Sequence, residues 1–409
     1  MNIEKFTDAL GEVDDKYVTE ALSYKKSKRG RKYIFTFAAA ACILLAVVAG
    51  EKFLTPEQEV PVLPRAGATK PDDTAEGSRA PGIGLYNFEE FESGSPWNPD
   101  ADLETLPAYK NLSYHRAGTP LGLSEEEMEE RFSAAANALG LEFQSREAIT
   151  ETYPDYLNDM KETKGVTKIT GTTGDTTLTV YANGETEVIF ESAIALPEKY
   201  SFTEGSTSDD EAVEALKYLY GEYSDLLGYE TPAYYSTKGY GIGHDYADDE
   251  GTIENSYPVS YRGYYVYDGS GTMEDKILSH DFRYTDFIPD ENGKLKYIRT
   301  YDGLSTAEKL GDYPLISLDD ARSKLEEGDY ICQYDTPTGE PDIINPDDIS
   351  GVCLKYLYNI TEEYYLPYYV FYVDGGEWEF GLHTYVPYFI PAISDEYLDG
   401  ITVYDGHIN

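Results

Sequence analysis

The sequence predicts an α+β protein: a single transmembrane helix followed by two or three units, each with one helix packed on an antiparallel sheet. Three observations predict it. An uncharged run, YIFTFAAAACILLAVVAG, occupies 33–50 behind a cationic block. Serine-headed helix starts recur three times beyond it. Each is followed by Tyr- and Val-rich segments with period-two alternation and glycine turns, the pattern of strands and hairpins. Hydrophobic residues make up 41% of the 409 and charged residues 26%, a composition that folds around cores. The net charge of −44 excludes a nucleic-acid binder, because a duplex would repel most of this surface. Three cysteines exclude a disulfide framework or a zinc ribbon.

Residues 1–32 form a short segment expected in the cytoplasm. Ile3, Phe6, Leu10, Val13 and Tyr17 recur at helical spacing. Gly11 splits them into helices over 3–10 and 14–24, with Asp14 as the second N-cap. So few residues bury no core, so this apolar stripe lies on the membrane surface or meets a protein partner. At 1.5 Å per residue the run at 33–50 spans about 27 Å, enough for a hydrocarbon core. Lys25, Lys26, Lys28, Arg29, Arg31 and Lys32 precede it, and Glu51, Glu57 and Glu59 follow. The positive-inside rule then places the N-terminus in the cytoplasm and the C-terminal part outside a cell membrane crossed once. Val47-Val48-Ala49 also fits a cleaved signal peptide, though the front piece is long for one. Cys42 sits in the middle of the run, where a lipobox cysteine would follow it.

Residues 51–84 are rich in Pro, Glu, Ala, Gly and Thr, the composition of a disordered tether. Three α+β units are expected after it, over 85–205, 206–302 and 303–409. Ser124-x-x-Glu127 and Ser208-x-x-Glu211 are capping boxes, and Ser317-Leu318-Asp319-Asp320 is a third helix start. Gly140 and Gly328 mark stops. Asn183-Gly184, Asn292-Gly293 and Asp374-Gly375-Gly376 predict hairpin turns. Strands are expected over 103–114, 231–238, 257–267, 280–289, 294–301, 329–335, 351–360, 366–373 and 382–390. The 40 tyrosines suit sheet faces on which rings pack and hydroxyls stay wet.

FTDALGEVDDKYVTEAL at 6–22, the basic block, the apolar run and the large outer part resemble membrane-anchored anti-sigma-factor-like proteins of Gram-positive bacteria. The zinc-binding members carry His-x3-Cys-x2-Cys, and residues 1–32 hold neither His nor Cys. ISLDDARSKLEEGDY (316–330) and YLPYYVFYVDGGEWEFGLHTYVPYFIPAI (365–393) resemble the outer domains of YycH/YycI-like regulatory proteins and PepSY-type modules. That resemblance implies a protein that restrains or tunes partners and is not an enzyme.

The residues themselves offer little chemistry. His115, His244, His280, His383 and His407 show no metal-ligand spacing, so no catalytic, cofactor-binding or metal residue is assigned. Ser270 between Gly269 and Gly271 reads as a hairpin turn and not as a nucleophile elbow. Gly239, Gly241 and Gly243 read as a strand edge or exposed loop and not as a phosphate loop. Asp245, Asp248, Asp249 and Glu250 leave room for incidental calcium. Cys332 and Cys353 fall in expected strands and form either a disulfide or two buried thiols. Two functions follow as expectations. One is a regulator or sensor acting through protein–protein contacts, of an anti-sigma-like kind. The other is an envelope glycan- or peptide-binding module on a passive anchor, stacking ligand on Trp97 or Trp378.

Overall fold

The computed structural model describes residues 60–67, 94–101, 103–114, 122–143, 145–150, 165–203, 205, 207–246, 253–332, 344–357, 363–377, 381 and 383–403. The chain divides into two compact units, 1–59 and 60–409, and the first lies outside the described residues. The stripe Ile3, Phe6, Leu10, Val13 and Tyr17 therefore lies outside them too, as does 33–50.

The second unit is dominated by antiparallel sheet. Its largest sheet has the order β3 (Glu147–Ile149), β4 (Lys168–Thr173), β5 (Thr176–Tyr181), β6 (Thr186–Ile194), β10 (Leu295–Thr300), β9 (Tyr284–Pro289), β8 (Ile253–Asp268), β7 (Pro232–Tyr246). Helices α1 (Glu125–Ala138) and α2 (Asp209–Leu227) pack on one face of it. Met128, Phe132, Ala212, Ala215 and Leu216 meet Ile169, Leu178, Val180, Val188, Val266 and Ile298 there, all buried. Such burial of about ten aliphatic and aromatic side chains is the main force holding helix to sheet.

Beside it, β11 (Ala307–Pro314), β2 (Thr105–Asn111) and β14 (Tyr364–Tyr365) form one small sheet. Another runs in the order β12 (Ile331–Cys332), β16 (His383–Pro391), β15 (Pro367–Glu377), β13 (Ile349–Tyr356). Helices α3 (Met273–Phe282) and α4 (Leu318–Glu326) close a second core with Leu106, Leu354, Phe371 and Ile390. A third core, between the two small sheets, holds Leu63, Tyr313, Val370 and Phe389.

The serine starts place three of the helices. Ser124 and Ser208 cap α1 and α2 with reciprocal boxes, and Ser317 caps α4. The turn Asn183-Gly184 joins β5 to β6 with Gly184 at φ 93°, where a Cβ would stand 2.6 Å from the Asp302 carbonyl. Only glycine fits that conformation and that approach.

Several expectations are corrected. No helix among the described residues is long and apolar enough to cross a membrane. The longest, α2, is amphipathic, with Asp209, Asp210, Glu211, Glu214, Lys217 and Glu222 along it. The transmembrane helix expected at 33–50 lies outside the described residues, so the single-pass topology and the extracellular placement find no spanning helix among them. The fold class of separate helix-on-sheet units is overturned as well. β6 pairs with β10, so strands from 147 to 300 join one sheet and both long helices share its face. A fourth helix, α3, takes residues expected to begin a strand at 280. Its box is Thr272 with Asp275, a less familiar pair than Ser and Glu. Asp374 and Gly376 flank a bulge within β15 and do not form the turn after it. Residues 63–67 of the expected tether form β1 (Leu63–Gly67), parallel to β17 (Leu398–Val403), with Leu63 buried.

The strand order bears on the choice left open between a Cys332–Cys353 disulfide and two thiols. β12 and β13 are opposite edges of their four-stranded sheet, separated by β16 and β15. Three strand spacings put the two backbones about 14 Å apart, twice the reach of a disulfide. Cys353 is a free, buried thiol, pushed up to about 11 by burial.

Candidate functional site

The face of the large sheet turned away from α1 and α2 carries its unusual chemistry. Strand register lines up Thr170, Thr179, Glu187, Arg299, Asp286, Tyr265 and Tyr235, each opposite the next. Their sequence neighbours point the other way, into the core, because successive side chains on a strand alternate in face. Arg299 Nε donates to Glu187 Oε2 at 2.7 Å. Burial works against the Arg299 cation, but that bond and the Glu187 charge outweigh it and hold the guanidinium protonated.

Asp286 stands on the other side of Arg299. Burial raises its carboxyl to about 7, and Arg299 and the Tyr264 N–H offset this only in part. Glu185, the residue before β6, is raised by burial and by Glu187, with Arg299 opposing. The row thus holds one firm ion pair and a second carboxyl that keeps its proton near neutrality.

An aromatic row runs alongside. Tyr301 stacks on Tyr284 with centroids 4.5 Å apart, Tyr284 meets Tyr265 edge-on at 5.9 Å, and Tyr265 stacks on Tyr235 at 4.9 Å. His280 of α3 continues it, 4.9 Å from Tyr235 and 5.2 Å from Tyr267. Its Nδ1 lies 2.7 Å from Asp281 Oδ1, and Asp281 Oδ2 accepts from the Tyr356 N–H at 2.8 Å. The His280 Nε2 is buried with no hydrogen-bond partner. The pair ties α3 to β13.

At Asp286 the sheet forks. β9 pairs with β8 only through Tyr265, Val266 and Tyr267, and the Asp286 carboxylate accepts from the next amide, that of Tyr264. Beyond the fork β7 and β8 pair with no further strand among the described residues, and they stay paired with each other from Ser236 and Tyr264 out to Tyr246 and Ile253. On one face of this ribbon Gly239 lies opposite Tyr261, Gly241 opposite Val259 and Gly243 opposite Tyr257. A Cβ on Gly239 would come within 2.2 Å of the Tyr261 ring, and one on Gly243 within 2.6 Å of the Tyr257 ring. The rings lie across the glycines, a cross-strand packing that helps hold the two strands together. Tyr257 and Val259 remain 41% exposed. The root of the ribbon is fixed by Arg262, whose side chain is 3% exposed. Its Nη1 donates to Ser236 Oγ and to Asp209 Oδ1, both at 2.6 Å.

The glycines of KGYGIGH are therefore strand residues, as the reading of a strand edge allows. Ser270 does not sit in a hairpin: it follows β8 and precedes α3, a strand-to-helix setting. Its N–H donates to Asp268 Oδ1 at 3.0 Å, which makes it a turn residue. His244 Nδ1 lies 2.8 Å from Ser256 Oγ on the ribbon, and His383 Nε2 lies 2.9 Å from Asp374. His115, His407, Asp248, Asp249, Glu250 and Trp378 lie outside the described residues. Trp97 is buried, its ring 5.9 Å from Tyr369, and offers no open stacking face. Among the described residues no group of His, Cys, Asp or Glu is arranged to hold a metal. Sequence reasoning missed Glu187, Arg299 and Asp286, which are up to 112 positions apart. The alternation of Arg299 with Tyr297 and Tyr301 outside a buried Ile298 was the available signal.

No family model and no curated protein matches this chain.

Proposed function

We propose that this chain works by binding a protein partner, as a regulatory or sensor-type module, and not by catalysis. One observation carries the reading: a two-stranded ribbon leaves the large sheet and presents Tyr257 and Val259 on a glycine-backed face. Large apolar side chains on a projecting element serve recognition more readily than a core. The resemblance of 316–330 and 365–393 to partner-restraining modules supports the same reading. The alternative of glycan stacking through Trp97 loses its support, since that ring is buried.

In-cell photo-crosslinking tests it. A photoreactive residue is placed at 257, at 259, and at the exposed control Glu308 of β11 in the full chain. The expected outcome is an adduct of discrete mass from 257 and 259 that is missing from 308. Adducts from all three alike, or from none, would remove the reading.

A further inference from the structure

The fork of the large sheet deepens the proposed function, on which it rests, by giving the ribbon a means of regulation. β8 and β9 run together through Tyr265–Asp286, Val266–Thr285 and Tyr267–Tyr284. β9 then continues beside β10 as Phe287, Ile288 and Pro289, with no pairing of those residues to β8. The next amide of β8, that of Tyr264, is taken by the Asp286 side chain. A carboxyl thus stands in for the rung that the backbone of β9 does not supply, at the point where the ribbon leaves the sheet.

The charges around that carboxyl do not balance. Arg299 of β10 is the cation opposite it, and Arg299 Nε already donates to Glu187 Oε2 at 2.7 Å. Glu185 draws on the same guanidinium. The other titratable groups facing Asp286 are Tyr301 after β10, Tyr235 of β7, Tyr265 of β8 and Tyr284 on β9 itself, and a phenol brings no positive charge. His280 of α3 lies beyond the Tyr235 ring. Protonated, Asp286 accepts from the Tyr264 N–H and needs no counter-ion. Ionised, it shares one guanidinium with Glu187 and Glu185, and hydration draws it outward. Burial outweighs what Arg299 and the Tyr264 N–H offer the anion, and raises the carboxyl to about 7.

We infer that Asp286 is a proton-operated latch on the ribbon: the protonated carboxyl holds β8 at the fork, and the ionised carboxyl turns to water, lets go of Tyr264 and loosens the root. The folded value lies above that of an ordinary aspartate, so the latch is shut in acid and released as pH rises through 7. Arg262 holds the root from the other face through Ser236 and Asp209, which confines the change to the β8–β9 side. Tyr257 and Val259 are then presented firmly in mildly acid solution and loosely in alkaline solution.

Amide exchange of the full chain at pH 5 and pH 8, corrected for intrinsic rates, tests this at Tyr264. Protection there should fall about tenfold or more between the two pH values, and at pH 8 Tyr264 should exchange at least about tenfold faster than Phe132 in the middle of α1. Asp286→Asn keeps an acceptor for the Tyr264 N–H but cannot ionise, so it should stay protected at both. Asp286→Ala removes the acceptor and should be unprotected at both. Glu185→Gln should keep the wild-type fall. A fall that persists in Asp286→Asn, or disappears in Glu185→Gln, assigns the proton elsewhere and overturns the inference. Equal exchange of Tyr264 and Phe132 also overturns it, because Tyr264 would then open only with the whole unit. Crosslinks from 257 and 259 alongside pH-independent exchange at Tyr264 remove the latch alone. A working latch with no crosslink at either pH removes the partner reading alone.

Discussion

Asp286 is the residue whose environment departs furthest from what its sequence suggests. Tyr284-Thr285-Asp286-Phe287 reads as an ordinary strand with a polar outward position. Its place in the register between Arg299 and Tyr265 buries the carboxyl, and burial raises it to about 7 against the opposing charge of Arg299. Its folded value lies above its unfolded one. The protonated form therefore contributes stability that is full below about pH 4 and is lost as pH rises through 7. Glu185 acts in the same direction. Asp268, Asp290 and Asp329 are held low, so their contributions vanish only in more acid solution, outside this window. Unfolding free energy from urea titrations should thus fall by about 2 kcal/mol between pH 5 and pH 8. Asp286→Asn should flatten most of that fall and be the more stable protein at pH 8. An unchanged slope in the variant would show that the carboxyl ionises normally.

Among the elements, α2 and the ribbon depend on each other. The Ser208 cap and its three following carboxylates were legible, because cap chemistry is local and needs only four residues. That Arg262, 53 positions later, reaches the first turn of α2 was not legible. Ser208→Ala should cost about 1 kcal/mol, the usual worth of a cap. Arg262→Ala should cost about 1–3 kcal/mol by leaving Ser236 unbonded in a buried site, while the exposed Asp209 carboxylate returns to water. Both act on one helix end, so the double variant should lose less than the sum. Denaturant unfolding of the four proteins gives the cycle, and strict additivity would show the two contacts to be independent. α3 escaped notice for a related reason. Its ten residues, with Lys276, His280 and Asp281 scattered among Ile277, Leu278 and Phe282, carry little helical periodicity. What holds it is burial of Ile277 and Phe282 against Tyr109, Tyr356 and Tyr365 from other elements.

At the scale of the molecule, strand order overrules proximity in sequence. Cys332 and Cys353 are 21 positions apart, yet β15 and β16 from further along the chain insert between their strands. A reductant should therefore leave Tm unchanged, and alkylation after unfolding without reductant should label both thiols. A Cys332–Cys353 peptide in a nonreducing digest would contradict the strand order itself. The same insertion joins distant segments elsewhere. Tyr313 donates to the Pro61 carbonyl at 2.9 Å, and Arg65 and Lys324 converge on Asp329, so residues 60–67 belong to the folded unit. Proline content marked them as tether, because composition reports what a segment lacks in local structure and not what it is paired with.

The sequence by itself determined the local signals: the serine caps of α1, α2 and α4, the glycine turns after β5 and β9, the strand character of the tyrosine-rich segments, and the acidity. Each depends on a few neighbouring residues and on backbone preferences that act at that range. Only the tertiary structure decided that β6 meets β10, that the sheet forks at Asp286, that an Arg lies between two carboxylates, and that two cysteines stand on opposite edges. Those outcomes come from pairings between residues scores of positions apart. Their free energy comes from shared burial of faces that look alike in sequence, so many strand orders satisfy the same pattern and packing of the whole selects one.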